Sequence, residues 1–143
     1  MQISVVKKFD KKTLNFLFNL RNKKYVRNQS INKKKITLKN HLKWADNFFK
    51  MKNNSLYVIK DKKVFIGYLR SKKIGKFFTL SWALTKNYQK KGFAAKLLKK
   101  ASNDKNKKYK AVIIKNNLAS TKLAKKCGFK VKMRKNNLFY MYK

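Results

Sequence analysis

An α+β fold built on one mixed sheet is what this sequence predicts, and three observations carry the prediction. Two stretches of helical period come before any long strand. Three strand-like runs then succeed one another across turns too short to hold a helix, which makes an antiparallel meander. Beyond them come an apolar run, a helix and a second apolar run, an order that pairs its strands in parallel.

Ile3 to Val6 reads as the first strand, with Phe9 closing it and Asp10 placed to cap a helix. Leu14, Leu17 and Phe18 fall at i, i+3 and i+4, with Phe16 and Leu20 beside them, so that helix runs from about Lys12 to Arg21. Asn22 to Lys35 is polar and aperiodic, a loop with a short helical piece around Lys24 to Asn28. Thr37 is an N-cap for a helix over Leu38 to Met51, in which Leu38, Leu42, Ala45 and Phe49 share one face. His41, Trp44 and Phe48 occupy the neighbouring stripe, and Asn53-Asn54-Ser55 ends it.

The meander is Ser55 to Lys60, Val64 to Arg70 and Lys76 to Leu84, with turns at Asp61-Lys62-Lys63 and Ser71 to Gly75. A helix from Gly92 to about Asn103 crosses to a strand over Tyr109 to Lys115, whose Val112-Ile113-Ile114 run suits a buried parallel position. A last helix, Leu118 to Cys127, stops at Gly128. Phe129 to Met133 and Leu138 to Tyr142 then form a hairpin across Arg134 to Asn137. The order is β-α-α-β-β-β-α-β-α-β-β, with no repeat and no linker, and 143 residues make one domain, 1-143.

Composition excludes several chemistries. His41 and Cys127 are each the only residue of their kind, so neither a disulfide framework nor a metal site built from several His and Cys is available. The acidic residues are Asp10, Asp46, Asp61 and Asp104, each isolated, which removes catalysis by a carboxylate pair. No apolar run approaches a membrane span, and the N-terminus lacks a signal-peptide core, so a soluble cytoplasmic protein is expected. The net charge of +37 suits a polyanionic partner. It equally suits compositional drift, since Lys, Asn, Phe, Ile and Tyr abound together without Pro, as an adenine- and thymine-rich genome favours.

The sharpest local signal is Tyr88-Gln89-Lys90-Lys91-Gly92-Phe93-Ala94-Ala95, which joins a strand to a helix. A helix start offers unpaired N–H groups and the positive end of the macrodipole, and Gly92 lets a ligand reach the backbone. Such a turn cradles a phosphate or diphosphate. Without a ligand it would be no more than a basic strand-to-helix turn. The spacing Gln89-x-x-Gly92-x-Ala94 resembles the Q/R-x-x-G-x-G/A loop of the GNAT (Gcn5-related N-acetyltransferase) superfamily, which holds the diphosphate of acetyl-CoA. Ala94 stands where a second glycine is commoner.

Downstream, Asn117-Leu118-Ala119-Ser120-Thr121-Lys122-Leu123 through Gly128-Phe129 resembles the N-x-x-S/A-x-x-L segment, ending in G-F, of the same superfamily. The superfamily shares the order of elements, so the likeness spans essentially the whole chain. It implies helices on both faces of the sheet and a V-shaped split between two central strands, where the cofactor enters. A further likeness, in Leu20-Arg21-Asn22, Val26-Arg27, Ser30, Ile36, His41 and Trp44, is to N-acetyltransferases acting on UDP-linked amino sugars on the way to pseudaminic acid. Related segments occur in ribosomal-protein acetyltransferases.

The resemblance implies that Ala83 and Leu84 offer backbone groups to the pantetheine arm and thioester. It places the diphosphate on Gln89, Lys90, Lys91, Gly92, Phe93, Ala94 and Ala95. Asn117 and Ser120 would meet the pantetheine end, and Asn117 also reads as an ordinary helix cap. Glutamate, a frequent base in the superfamily, is absent, which leaves His41 or a water relayed by Ser81. A tyrosine that protonates the leaving thiolate in many relatives is replaced by Ala124, which leaves Tyr140, Tyr142 or Tyr88. Arg27 and Trp44, with His41, are the candidates for the acceptor, a guanidinium on phosphate and a ring on a base. Trp44 also reads as plain core, and His41 as a surface or helix-packing histidine.

The expected partners are therefore acetyl-CoA and a small amine, without a metal and with a homodimer left open. A protein N-terminus or lysine is the alternative acceptor. From another class, a non-catalytic basic module would bind nucleic acid, but lysines dispersed along the chain do not form a clustered footprint.

Overall fold

The computed structural model describes residues 1–143. Its elements are β1 (Gln2–Val6), α1 (Lys11–Arg21), α2 (Lys24–Arg27), α3 (Leu38–Phe48), β2 (Ser55–Asp61), β3 (Val64–Ile74) and β4 (Phe77–Leu84). After a 3₁₀ turn at Lys86–Tyr88 come α4 (Phe93–Ala101), β5 (Lys108–Ile114), α5 (Leu118–Lys126), β6 (Lys130–Lys135) and β7 (Leu138–Tyr142). The order is the one expected from periodicity, with the short helical piece expected in the loop after α1 present as α2.

Boundaries differ where turn chemistry decided them. β3 runs on to Ile74, because Lys72, Lys73 and Ile74 find partners in Thr79, Phe78 and Phe77. The turn shrinks to Gly75 and Lys76, with Gly75 at φ +60°. The last hairpin likewise closes on Asn136 and Asn137, both at positive φ, which asparagine tolerates. α3 stops at Phe48, whose carbonyl accepts from the buried Asn54 side chain at 2.9 Å. α5 ends as expected on Gly128, where Phe129 N–H donates to Ala124 O and Gly128 N–H to Lys125 O, a Schellman pair.

Seven strands make one sheet in the order β1-β2-β3-β4-β5-β7-β6, so β1 and β6 are its edges. Every pairing is antiparallel except β4 with β5. α4 and α5 cover one face, packing Leu97, Leu98, Ala101, Ala124 and Cys127 onto Ile59, Leu69, Leu80, Ala111 and Met141. α1 and α3 lie on the other face, where Leu17 and Phe48 meet Leu56. The larger cluster thus sits behind the crossover that joins the parallel strands.

One pairing is incomplete. β4 and β5 are in register only from Phe77 and Lys108 to Thr79 and Lys110, although both strands continue. They part beyond that point, and the expected split between central strands is present.

Candidate active site

The split opens between an uncapped helix and a cleft. α1, α3 and α5 each carry a side-chain cap: Asp10 accepts from Thr13 N–H at 2.7 Å, Thr37 from Asn40 N–H at 3.2 Å, and Asn117 from Ser120 N–H at 3.1 Å. α4 has none. Its N-cap is Gly92 at φ +84°, preceded by Lys90 at φ +61°, and the backbone N–H groups from Lys90 through Ala95 donate to nothing within the protein. Left-handed residues alternating with others turn successive N–H groups inward as an anion nest, and the helix dipole adds to it. A Cβ at Gly92 would meet nothing within 4 Å, so this glycine is not required by packing. It holds the backbone turned and the approach open.

Thr85 N–H donates to Ile66 O at 2.9 Å. Alternation along the strand then turns Leu84 N–H away from β3, toward the split. Leu84 O accepts from Gln89 Nε2 at 3.2 Å, a bond that ties the nest to the end of β4. Ala83 and Leu84 are buried, held close to β3 because Gly67 leaves room: a Cβ there would lie 2.9 Å from Ala83 O.

The cleft has a volume of about 300 Å³. Leu80, Ser81 and Trp82 of β4 line one wall, Val112, Ile113, Asn117 and Ser120 the other, and residues from Val26 to Asn32 the rim. Of the residues expected at the site, Ser81, Asn117 and Ser120 are thus brought together. Asn117 both caps α5 and lines the cleft.

Others are placed elsewhere. His41 is 4% exposed, its Nε2 is 2.9 Å from Leu14 O, and its ring lies between Phe18 and Trp44. Burial holds its pKa below the ordinary histidine value, against the opposing pull of the Leu14 carbonyl. It packs α3 on α1, and with Trp44 it faces a smaller cavity of about 100 Å³ that adjoins the cleft. Trp44 stacks on His41 at 5.6 Å and packs on Phe9 and Phe48. Arg27 is spent on backbone carbonyls, Asn22 O at 3.1 Å and Lys33 O at 3.2 Å, which pin the loop after α2. These three side chains hold the α1–α3 unit together and are not part of the cleft.

The tyrosines expected as acids do not line the cleft, although Tyr140 stands next to its Val112 wall. Tyr88 donates to Asp61 at 3.2 Å, and burial together with that carboxylate raises its pKa. Tyr140 lies on β7 opposite Val112, with the Lys110 amine 5.4 Å from its ring centroid, and Tyr142 shares the same amine at 5.7 Å. Ala124 is fully buried in the main core.

Three residues that the expectation missed line both the cleft and the smaller cavity: Arg21, Tyr68 and Arg70. Arg21 Nη2 donates to Asn32 O at 2.9 Å, while its Nη1 is buried without a partner. Arg70 sits 5.7 Å over the Trp44 ring. Burial raises the Tyr68 pKa while the two guanidiniums pull it down. No aspartate lines the cleft. A signal was available: arginine occurs only at positions 21, 27, 70 and 134 in a chain that otherwise takes its positive charge from lysine, and two of the four stand here.

Solved structures share this fold. Spermidine N-acetyltransferase from Vibrio cholerae, determined with CoA and spermine, is 19% identical over 99% of this chain and 95% of its own, with a TM-score of 0.79. Ribosomal-protein-alanine N-acetyltransferase from Brucella melitensis is 19% identical over 100% and 99%, with a TM-score of 0.75. The Campylobacter jejuni N-acetyltransferase PseH, determined with acetyl coenzyme A, is 16% identical over 99% and 98%, with a TM-score of 0.73. No curated protein matches the sequence. The sequence profile of the Acetyltransferase (GNAT) family matches residues 14–129, from the first helix past both motif segments, and the chain belongs to that family.

Proposed function

We propose that the protein transfers the acetyl group of acetyl-CoA to the primary amine of a nucleotide-linked amino sugar. The observation that carries the choice of acceptor is the buried, unpartnered Nη1 of Arg21, beside Arg70 and Tyr68, in a cleft without a carboxylate. Nη2 of that guanidinium is already held by Asn32 O, but a buried Nη1 without an acceptor is costly, and a diphosphate oxygen would supply one. A polyamine would bring two or more positive charges to two arginines with nothing to pair them.

On the donor side, the N–H groups from Lys90 to Ala95 take the diphosphate and Leu84 N–H the thioester carbonyl, polarising it as negative charge develops. Family membership and the likeness to enzymes solved with acetyl-CoA or CoA support this assignment. No metal is needed, because the reaction asks only for alignment, a polarised carbonyl and a neutral amine.

A neutral amine is obtained here without a strong base. Loss of water around the amine as it enters the cleft disfavours its charged form, which lowers the pKa of a bound ammonium. The proton then leaves by water past the exposed Ser81 hydroxyl. The basic field of the whole chain lowers the pKa of the departing thiol, so that it leaves as thiolate although Ala124 offers no acid.

The test is release of free thiol from acetyl-CoA with a panel of UDP- and dTDP-linked amino sugars, peptides with free N-termini, lysine peptides and spermidine. Turnover is expected with a nucleotide sugar, and Arg21→Leu should raise its KM about 10-fold or more while the KM for acetyl-CoA stays put. Acetylation of spermidine or a peptide in preference to every nucleotide sugar would remove this acceptor.

A further inference from the structure

Half of one sheet face is left without a helix. The register places Phe77 of β4, Lys108 and Lys110 of β5, and Tyr140 and Tyr142 of β7 on the face opposite to α4 and α5. α1 and α3 cover that face only over its other half, and Phe77, Tyr140 and Tyr142 belong to neither apolar cluster. Phe77 and Tyr142 pack edge to face at 5.0 Å, the Lys110 amine lies between the two tyrosine rings, and Lys108 is exposed beside Phe77. Rings two residues apart on a strand stand about 7 Å from each other, room for one base on each.

We propose that this face binds single-stranded nucleic acid, with bases stacked on Phe77, Tyr140 and Tyr142 and phosphates on Lys108 and Lys110. Charge selects the occupant. A second copy of the chain would bring another +37 to the same surface, whereas a polyanion is attracted and releases its counterions. Dispersed lysine would attract any polyanion, but half-buried aromatic rings under the mobile amines of Lys76 and Lys110, which a base can displace toward its phosphate, distinguish an unstacked strand from a duplex, whose bases are already stacked. The face adjoins the cleft at Tyr140, which is opposite the cleft residue Val112, but its binding does not depend on which amine is acetylated there.

Fluorescence anisotropy of a labelled oligouridylate of about 12 nucleotides, a length within the range one such surface holds, is the measurement, with a matching RNA duplex as comparison and a salt series for each. The single strand should bind more tightly than the duplex at about 150 mM KCl, a salt near the physiological value. Phe77→Leu, which keeps an apolar side chain on the strand, should weaken single-strand binding about 10-fold and leave thiol release from acetyl-CoA unchanged. Lys108→Gln should flatten the salt dependence by about 0.7 in the log–log slope, and Lys125→Gln, on α5 behind the sheet, should do much less. Equal affinity for duplex and single strand, an unchanged affinity in Phe77→Leu, or equal effects of Lys108→Gln and Lys125→Gln would each overturn the proposal.

Discussion

Gly92 and His41 show two ways in which one residue sets what the molecule does. At Gly92 the backbone is left-handed and the Cβ direction is empty, so substitution meets strain and intrudes on ligand space without a clash inside the protein. Gly92→Ala should lower stability by about 1–2 kcal/mol, read as a shift in a thermal melt. Gly92→Glu should also weaken acetyl-CoA binding about 100-fold or more in calorimetry, since a carboxylate would face the diphosphate. His41 is held neutral in the folded state with its pKa below the usual 6.5, so the unfolded chain binds its proton first. Stability from this group is full above about pH 6.5 and falls as the pH drops toward the folded-state value. His41→Gln should remove the part of the Tm decline between about pH 6.5 and 5 that the wild type shows. The sequence singles out both residues but leaves open whether His41 lines a pocket or packs a helix, because a helical stripe of His41, Trp44 and Phe48 looks the same whether it faces a cleft or another helix. It passes over Arg21 and Arg70 for the same reason: long-range packing of α1 against β3 brings them together, and no local spacing encodes that.

Strands and helices were legible where period and turn chemistry agreed. α4 is readable because Phe93, Leu97 and Ala101 repeat at helical spacing after Gly92, and its lack of a cap reflects the absence of Ser, Thr, Asp or Asn at that point. The length of β3 was not, since Lys72 and Lys73 read as turn residues until β4 offers them partners. The parting of β4 from β5 was not visible in either strand alone, and entered only through family likeness. Gly67 shows how β3 supports it: a Cβ there would press on Leu84 and lie 2.9 Å from Ala83 O. Gly67→Ala should therefore cost about 1–3 kcal/mol in denaturant unfolding and raise the KM for acetyl-CoA, because the end of β4 that faces the donor must move. A melt and KM both equal to wild type would show that β4 is not held in place by this contact.

At the scale of the whole molecule, 41 basic residues face 4 acidic ones, and one ion pair, Lys107 to Asp104 at 3.9 Å, is formed. Like charges outnumber attractive pairs so heavily that the folded state is opposed by its own field. Raising KCl from about 20 to 500 mM shrinks the screening length from roughly 20 Å to under 5 Å and should raise Tm by several degrees, the reverse of what a protein stabilised by surface ion pairs shows. A Tm that falls or stays level over that range would contradict this. The sum of charge is plain from composition, while the distribution that sets half-buried aromatic rings among lysines on one half of a sheet face needs the strand register.

The two borders of the sheet are unlike each other, and the difference bears on how this protein would fail. β6 presents Lys130, Lys132, Arg134 and Lys135 along its length, and an incoming strand would have to bury or face those ammonium and guanidinium groups. β1 at the opposite border carries Ile3, Val5 and Val6, with Val5 41% exposed and no charge from Gln2 to Val6. Fibril growth under stress would nucleate on the amino-terminal strand, so a single lysine placed at Val5 is where protection against it would be engineered.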